Sequence, residues 1–390
     1  MRGLVLEGGG AKGAFHCGAV KALYDNGYTF DGVAGTSIGA INGALIVQDC
    51  GYESMYDLWT NINASDITDL NNIEIGKLIN KEFSKESIGY WVKTVHNVVS
   101  NAGIPTDKVI TFLKGVISEK KVRLSPMDYA IATYCLSDRS QMELFKEDIP
   151  QGELHNYIMA SAYYPAFRMN KLNDRYFFDG GIFNNLPLNL LPQKNKEYNE
   201  IFAIRTMSKM PHKETGRKDV AVHYICPSED LGKAINIDKK FINFKIKMGY
   251  YDTIAYLRGY HGARYYIKGN VDIFERIFLP NDDWTRMFIR QVIGEKYDGA
   301  PEEIKKVLQK EWKIRSKVDN EIFLGFFEEV AALFGVEKFR IYTDRTFLAE
   351  LLQQATDEKK DKIKGSKNEK KVKLFTILQS RITEALHGTL

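Results

Sequence analysis

Ser37 stands at the centre of Gly35-Thr36-Ser37-Ile38-Gly39, a G-x-S-x-G pattern, and upstream of it the chain has passed Gly8-Gly9-Gly10-Ala11-Lys12-Gly13. In the first pattern a strand turns so sharply into a helix that only glycine fits beside the serine, which leaves the hydroxyl exposed as a nucleophile. The second frees backbone N–H groups at the start of a helix, a ready anion site. A nucleophile and a place to hold negative charge on oxygen are what ester hydrolysis most needs. The serine also needs a base. None of the seven histidines (His16, His96, His155, His212, His223, His261 and His387) has a neighbourhood built for a triad, and each reads as a surface or satisfied structural residue. The better base is Asp179, which ends the aromatic run Tyr176-Phe177-Phe178 and precedes Gly180-Gly181. Taken alone, Asp-Gly-Gly reads first as a hairpin turn.

Specific elements must carry these groups. Gly3-Leu4-Val5-Leu6-Glu7 reads as a buried first strand, and residues 14–26 as a helix with Phe15, Ala19, Ala22 and Leu23 at helical spacing and Gly27 at its end. Residues 31–34 form a second strand into the elbow, and residues 38–47 a small-residue apolar helix packed close to a sheet. Further strands are expected at 129–135, 199–207 and 220–226, and helices at 73–83, 107–118 and 241–257. Gly8, Gly10 and Gly13 also satisfy G-x-G-x-x-G, the dinucleotide fingerprint, with Asp31 or Asp25 as the ribose acid. That rival leaves Ser37 unexplained. A phosphate-binding P-loop is excluded, because Lys12 is followed by Gly13 instead of Ser or Thr.

The three motifs, in this order, resemble the patatin-like phospholipases, lipid acyl hydrolases that use a Ser-Asp dyad. The stretch Met159-Ala160-Ser161-Ala162-Tyr163-Tyr164-Pro165-Ala166-Phe167 is similar to the small-residue helix and proline turn before the family's aspartate, and Asn185-Leu186-Pro187 to the segment after it. Tyr163-Tyr164 departs from the small or aliphatic residues usual there. The similarity covers about residues 1–280. It implies a three-layer α/β/α fold with a central, mostly parallel sheet, Ser37 as nucleophile and Asp179 as base. It further implies an oxyanion hole from Gly8, Gly9, Gly10, Ala11, Lys12 and Gly13 with the Ile38 N–H, an elbow shaped by Gly35 and Gly39, and Gly180-Gly181 freeing the backbone after the base. The implied activity is phospholipase A or lysophospholipase cleavage of carboxylic esters through an acyl-enzyme. The alternatives are a general short-chain carboxylesterase and, outside catalysis, a lipid- or dinucleotide-binding protein. An aspartate of ordinary pKa, about 3.9, is a feeble base at neutral pH. A dry pocket must raise it, and Phe177, Phe178 and Phe183 offer apolar surroundings.

With 390 residues, 44% of them hydrophobic, the chain can bury one sizeable α/β domain, expected over 1–280, plus a mainly helical C-terminal appendage over 281–390. Cys17, Cys50, Cys135 and Cys226 are widely spaced, which suggests neither a zinc site nor a disulfide framework. No metal, cofactor or nucleic-acid partner is expected. The first strand begins at once and no stretch reaches eighteen apolar residues, so the expected location is cytoplasmic, with peripheral contact at the inner membrane surface. Residues 357–373 hold eight lysines against four acids, a net +4 that equals the imbalance of the whole chain, 54 basic minus 50 acidic residues. Such a run reads as a solvated linker or helix face, or as a surface for anionic lipid.

Overall fold

The computed structural model describes residues 1–67, 106–163, 171–207, 215–234, 236–278, 283–295, 300–314, 316 and 321–389. The helix expected at 73–83, the turn at 164–167, His96 and His212 lie outside them. The chain forms two compact units, Met1–Thr253 and Ile254–Leu390.

The N-terminal unit is a three-layer α/β/α fold around a seven-stranded, mostly parallel sheet in the order β4-β3-β2-β1-β6-β7, with β5 paired to β3. The strands are β1 (Arg2–Leu6), β2 (Gly32–Thr36), β3 (Asp128–Cys135), β4 (Ser140–Phe145), β5 (Phe177–Asp179), β6 (Glu200–Ile204) and β7 (Ala221–Ile225). β1 and β2 are covered on both faces, so they read as unbroken apolar runs: Leu4, Val5, Leu6, Val33 and Ala34 are all fully buried. β4 runs antiparallel to β3 and keeps polar side chains in solvent, which hid it from an apolar-run search. Helix α1 (Ala14–Asp25) follows the glycine run, and α2 (Ile38–Asp49) follows the elbow.

Strand register brings the two ends of the site together. β2 pairs along β3 only as far as Thr36 opposite Ala132. β4 occupies the other edge of β3 from Ala130 to Cys135. β5 therefore takes the edge that β2 vacates, running antiparallel with Asp179 opposite Thr133, the next residue along. The residue after the end of β2 and the residue at the end of β5 are thus neighbours, although 142 positions (179 minus 37) separate them.

The C-terminal unit is built on the Ile322–Phe334 helix, which buries ten of its thirteen residues and so is apolar all round, as a central core helix must be. Phe274, Phe278, Phe326, Phe347, Phe375 and Leu378 pack in the same core. This unit also holds a short parallel strand pair, β8 (Tyr266–Lys268) with β9 (Ile341–Thr343), which no alternating pattern announced. That pairing ties residues before 281 into the C-terminal core.

Candidate active site

Ser37 has φ 56° and ψ −123°, a region that side chains other than glycine rarely occupy. The strain is held in place from several sides. A Cβ on Gly35 would strike the Gly39 backbone, and one on Gly39 would strike the Leu6 carbonyl, so α2 can sit directly on the sheet only with glycine at both positions. The Ser37 N–H donates to Ser161 Oγ at 2.9 Å, and that hydroxyl donates to the Ala132 carbonyl at 2.7 Å. The Ser37 carbonyl accepts from the Ala40 and Ile41 N–H groups and starts α2.

Asp179 meets this elbow from β5. Its carboxylate accepts the Gly181 N–H at 2.7 Å, and the Ser37 hydroxyl lies near enough to favour its charged form. Its own N–H donates to the Tyr163 carbonyl at 3.0 Å. Ser37 and Asp179 are both buried, at 8% and 7% exposure. Burial pushes the Asp179 carboxyl up to about 6, against the pull of the Gly181 N–H and the nearby Ser37 hydroxyl. A hydroxyl beside a carboxylate of that affinity can pass its proton near neutral pH. Phe177 and Phe178 are buried beside it, whereas Phe183 is 42% exposed and stacks on Tyr134 at 3.9 Å.

The glycine run lies against the same point: a Cβ on Gly8 would come 3.3 Å from the Ser37 Cβ, and Gly13 packs on Ile38. Its N–H groups are not equivalent. Gly8 donates to the Asn185 carbonyl, Ala11 to the Ala234 carbonyl and Lys12 to the Gly9 carbonyl. Those of Gly9, Gly10 and Ile38 have no acceptor among the described residues. Gly10 has φ +55° and faces the Ala234 carbonyl, so it accepts no side chain without strain. Beneath the loop, buried Glu7 pairs with Arg205 at 3.1 Å and accepts the N–H groups of Thr206 at 2.7 Å and Met207 at 3.1 Å. Thr206 Oγ1 then donates to the Gly8 carbonyl at 2.6 Å, and Thr36 Oγ1 to the Asn184 carbonyl at 2.7 Å.

Glu7, Ser161, Asn185 and Thr206 were not singled out as site residues from sequence. Glu7 offered a signal, a lone carboxylate in an apolar strand just before the glycines; Ser161 and Asn185 lay in the segments similar to the family's around Asp179, and Thr206 offered none beyond its type. None of the described histidines bonds to Ser37 or Asp179. His155 contacts the Ile117 carbonyl at 2.8 Å, and His223 and His261 pair with Glu200 and Glu321. His16 departs from the expected surface or satisfied state: it is fully buried, its Nδ1 lies 3.3 Å from Asn42 Nδ2, and its Nε2 has no partner among the described residues. Burial holds it neutral, with its pKa lowered to about 3. The dinucleotide rival loses its acids. Asp25 pairs with Lys21, and Asp31 accepts the Arg2 N–H at the start of β2, the opposite end from the glycines.

A family model described as patatin-like phospholipase matches residues 4–192. A lysophospholipase nte1 of Aspergillus terreus is 52% identical over 54 residues, 14% of this chain and 4% of that protein. A patatin-like phospholipase domain-containing protein of Caenorhabditis elegans is 27% identical over 200 residues, 48% of this chain and 12% of that protein. The chain thus spans a small part of the length of either relative. Among solved structures, VipD from Legionella pneumophila aligns over 99% of this chain and 91% of its own, at 13% identity and a TM-score of 0.41.

Proposed function

Because this chain carries a patatin-like phospholipase domain over residues 4–192, we propose that it is a serine lipid acyl hydrolase of the phospholipase A or lysophospholipase type, working through Ser37 and Asp179. The observation that carries the reading is the strained turn that sets the Ser37 hydroxyl beside a buried carboxylate raised to about 6. Ser37 Oγ attacks the ester carbonyl carbon while its proton passes to Asp179. The carbonyl oxygen becomes an oxyanion held by the Gly9, Gly10 and Ile38 N–H groups, and each such donor is worth about 100- to 1,000-fold in rate. Collapse breaks the ester C–O bond, and the leaving alcohol takes the proton from Asp179. Water then attacks the acyl-Ser37, giving its proton to Asp179. The second collapse returns that proton to Ser37 Oγ and frees the fatty acid.

The apolar setting of the dyad suits an acyl chain. Anionic lipid suits the C-terminal unit, where a cavity of about 630 Å³ is lined by four lysines, Lys313, Lys367, Lys370 and Lys371, against two acids, Glu311 and Glu329. Glu329 is already paired with Arg264 and Lys371. No described helix is long and apolar enough to cross a membrane, and peripheral contact is the proposed route to such a substrate.

The test compares wild type with Ser37→Ala on a lysophospholipid and on a short p-nitrophenyl ester. Fatty-acid release from the lysophospholipid, lost in the variant, is the expected result. Turnover of the short ester alone would favour the carboxylesterase reading, and no Ser37-dependent turnover of either would end the enzyme reading.

A further inference from the structure

Lys245 is a buried cation, 2% exposed, that touches the glycine loop from behind. It lies on the Lys239–Arg258 helix, which packs backbone to backbone on α1: a Cβ on Gly18 would strike the Ile246 carbonyl, and one on Gly249 the Phe15 carbonyl. That close approach delivers the Lys245 ammonium to the Ala11 and Asn236 carbonyls, each at 3.2 Å. The Ala11 carbonyl belongs to the same peptide group as the Lys12 N–H. That N–H donates to the Gly9 carbonyl at 3.2 Å, and the Gly9 carbonyl shares its peptide group with the Gly10 N–H. The Gly10 N–H is one of the groups left without an acceptor. Charge at Lys245 is therefore connected to a free donor through two peptide groups in series, and hydrogen-bonded chains polarise one another in this way.

Building on the esterase reading above, we propose that Lys245 is a positioning residue for the oxyanion hole: its ammonium fixes the loop and polarises the Gly10 N–H through the Ala11–Lys12 and Gly9–Gly10 peptides. The effect depends on charge. Burial, reinforced by the nearby positive charge of Lys12, lowers Lys245 from the ordinary lysine value to about 8. Other charged and titratable groups stand near the helix. On α1, His16 stays neutral and burial pushes the Cys17 thiol up. The Lys21–Asp25 pair lies by Tyr250. Asp238, Lys239 and Lys240 stand exposed at the helix start. Asp179 must be ionised and Lys245 protonated, so kcat rises with pH through about 6 and falls through about 8.

The experiment is the pH profile of kcat and KM on a soluble ester for wild type, Lys245→Met and Lys245→Arg, together with fluorophosphonate labelling of Ser37. Lys245→Met should lose about tenfold in kcat at pH 7 with KM little changed, and its fall near pH 8 should vanish. Lys245→Arg keeps its charge throughout, so it should retain most of kcat and also lose the alkaline fall. A wild-type profile flat from pH 7 to 10, or a fall that persists in Lys245→Met, would overturn the proposal. The wild-type profile decides alone if neither variant folds. Ser37 labelling in wild type separates the two readings: labelled protein without the Lys245 signature refutes only the relay, whereas unlabelled, inactive protein refutes the esterase assignment.

Discussion

Each unit buries carboxylates, and two of them, Asp179 and Glu328, one from each unit, are treated in opposite ways. Glu328, in the C-terminal core helix, is 1% exposed and accepts the N–H groups of Ala263 at 2.9 Å, Arg264 at 2.9 Å and Tyr265 at 2.8 Å. It closes a loop, and its oxygens are spoken for. Asp179 has one backbone donor, Gly181, and one hydroxyl, Ser37, in a pocket that burial makes unfavourable for charge. A fully satisfied buried carboxylate is structural; one left short of donors next to a hydroxyl keeps an appetite for a proton. The strain at Ser37 belongs to the same contrast, because no stability argument requires a non-glycine residue at φ 56°.

The largest expected effect separates the two carboxylates outright. Asp179→Asn and Ser37→Ala should each cost at least about 1,000-fold in kcat for a soluble ester while the protein stays folded. Glu328→Ala should leave that kcat nearly untouched and lower the stability of its own unit by about 3 kcal/mol, since it strands buried N–H groups. Loss of hydrolysis in a folded Glu328→Ala protein would collapse the distinction. Gly10→Ala comes next, at about 100-fold in kcat. Unlike a change that touches only the transition state, it should also depress the melting temperature, because the new Cβ meets the Ala234 carbonyl and φ is +55°.

A subtler effect concerns stability. Asp179 has a folded pKa of about 6 against 3.8 unfolded, so the native state holds that proton more tightly. This stabilisation is complete below about pH 4 and is lost as pH rises through 6. Asp179→Asn should therefore be more stable than wild type at pH 8, by up to about 3 kcal/mol. The advantage should disappear in acid, and thermal melts across pH will show whether it does. The smallest effect lies in the lysine run. Removing residues 357–390 is a poor test, because the Glu369–His387 helix supplies Phe375 and Leu378 to the core. Lys367→Ala and Lys370→Ala change exposed side chains. Each should weaken binding to anionic vesicles about fivefold at low salt with no change in melting temperature.

The sequence was legible where one residue type alone fits the backbone. Gly35 and Gly39 announced the elbow because backbone contacts forbid any Cβ there, and the apolar runs of β1, β2 and β6 announced strands. Helices expected at 107–118 and 241–257 appear as Asp107–Val116 and Lys239–Arg258. Partnerships between distant residues were hidden. Nothing local shows that Ser161 pins the elbow, that Thr206 holds the Gly8 carbonyl, or that Lys245 reaches the Ala11 carbonyl from 234 positions away. β4 and the β8–β9 pair were missed because an edge strand with polar faces and two three-residue strands lack a periodicity long enough to read.

The central claim is that Ser37 is a nucleophile activated by Asp179, and the most direct measurement is the rate and position of fluorophosphonate labelling followed by mass spectrometry across pH 5 to 7.5. The account predicts one adduct, on Ser37, forming at a rate that rises through about pH 6 and is nearly abolished in Asp179→Asn. An adduct on any other residue, or labelling of Ser37 that proceeds unchanged without the Asp179 carboxylate, would contradict it.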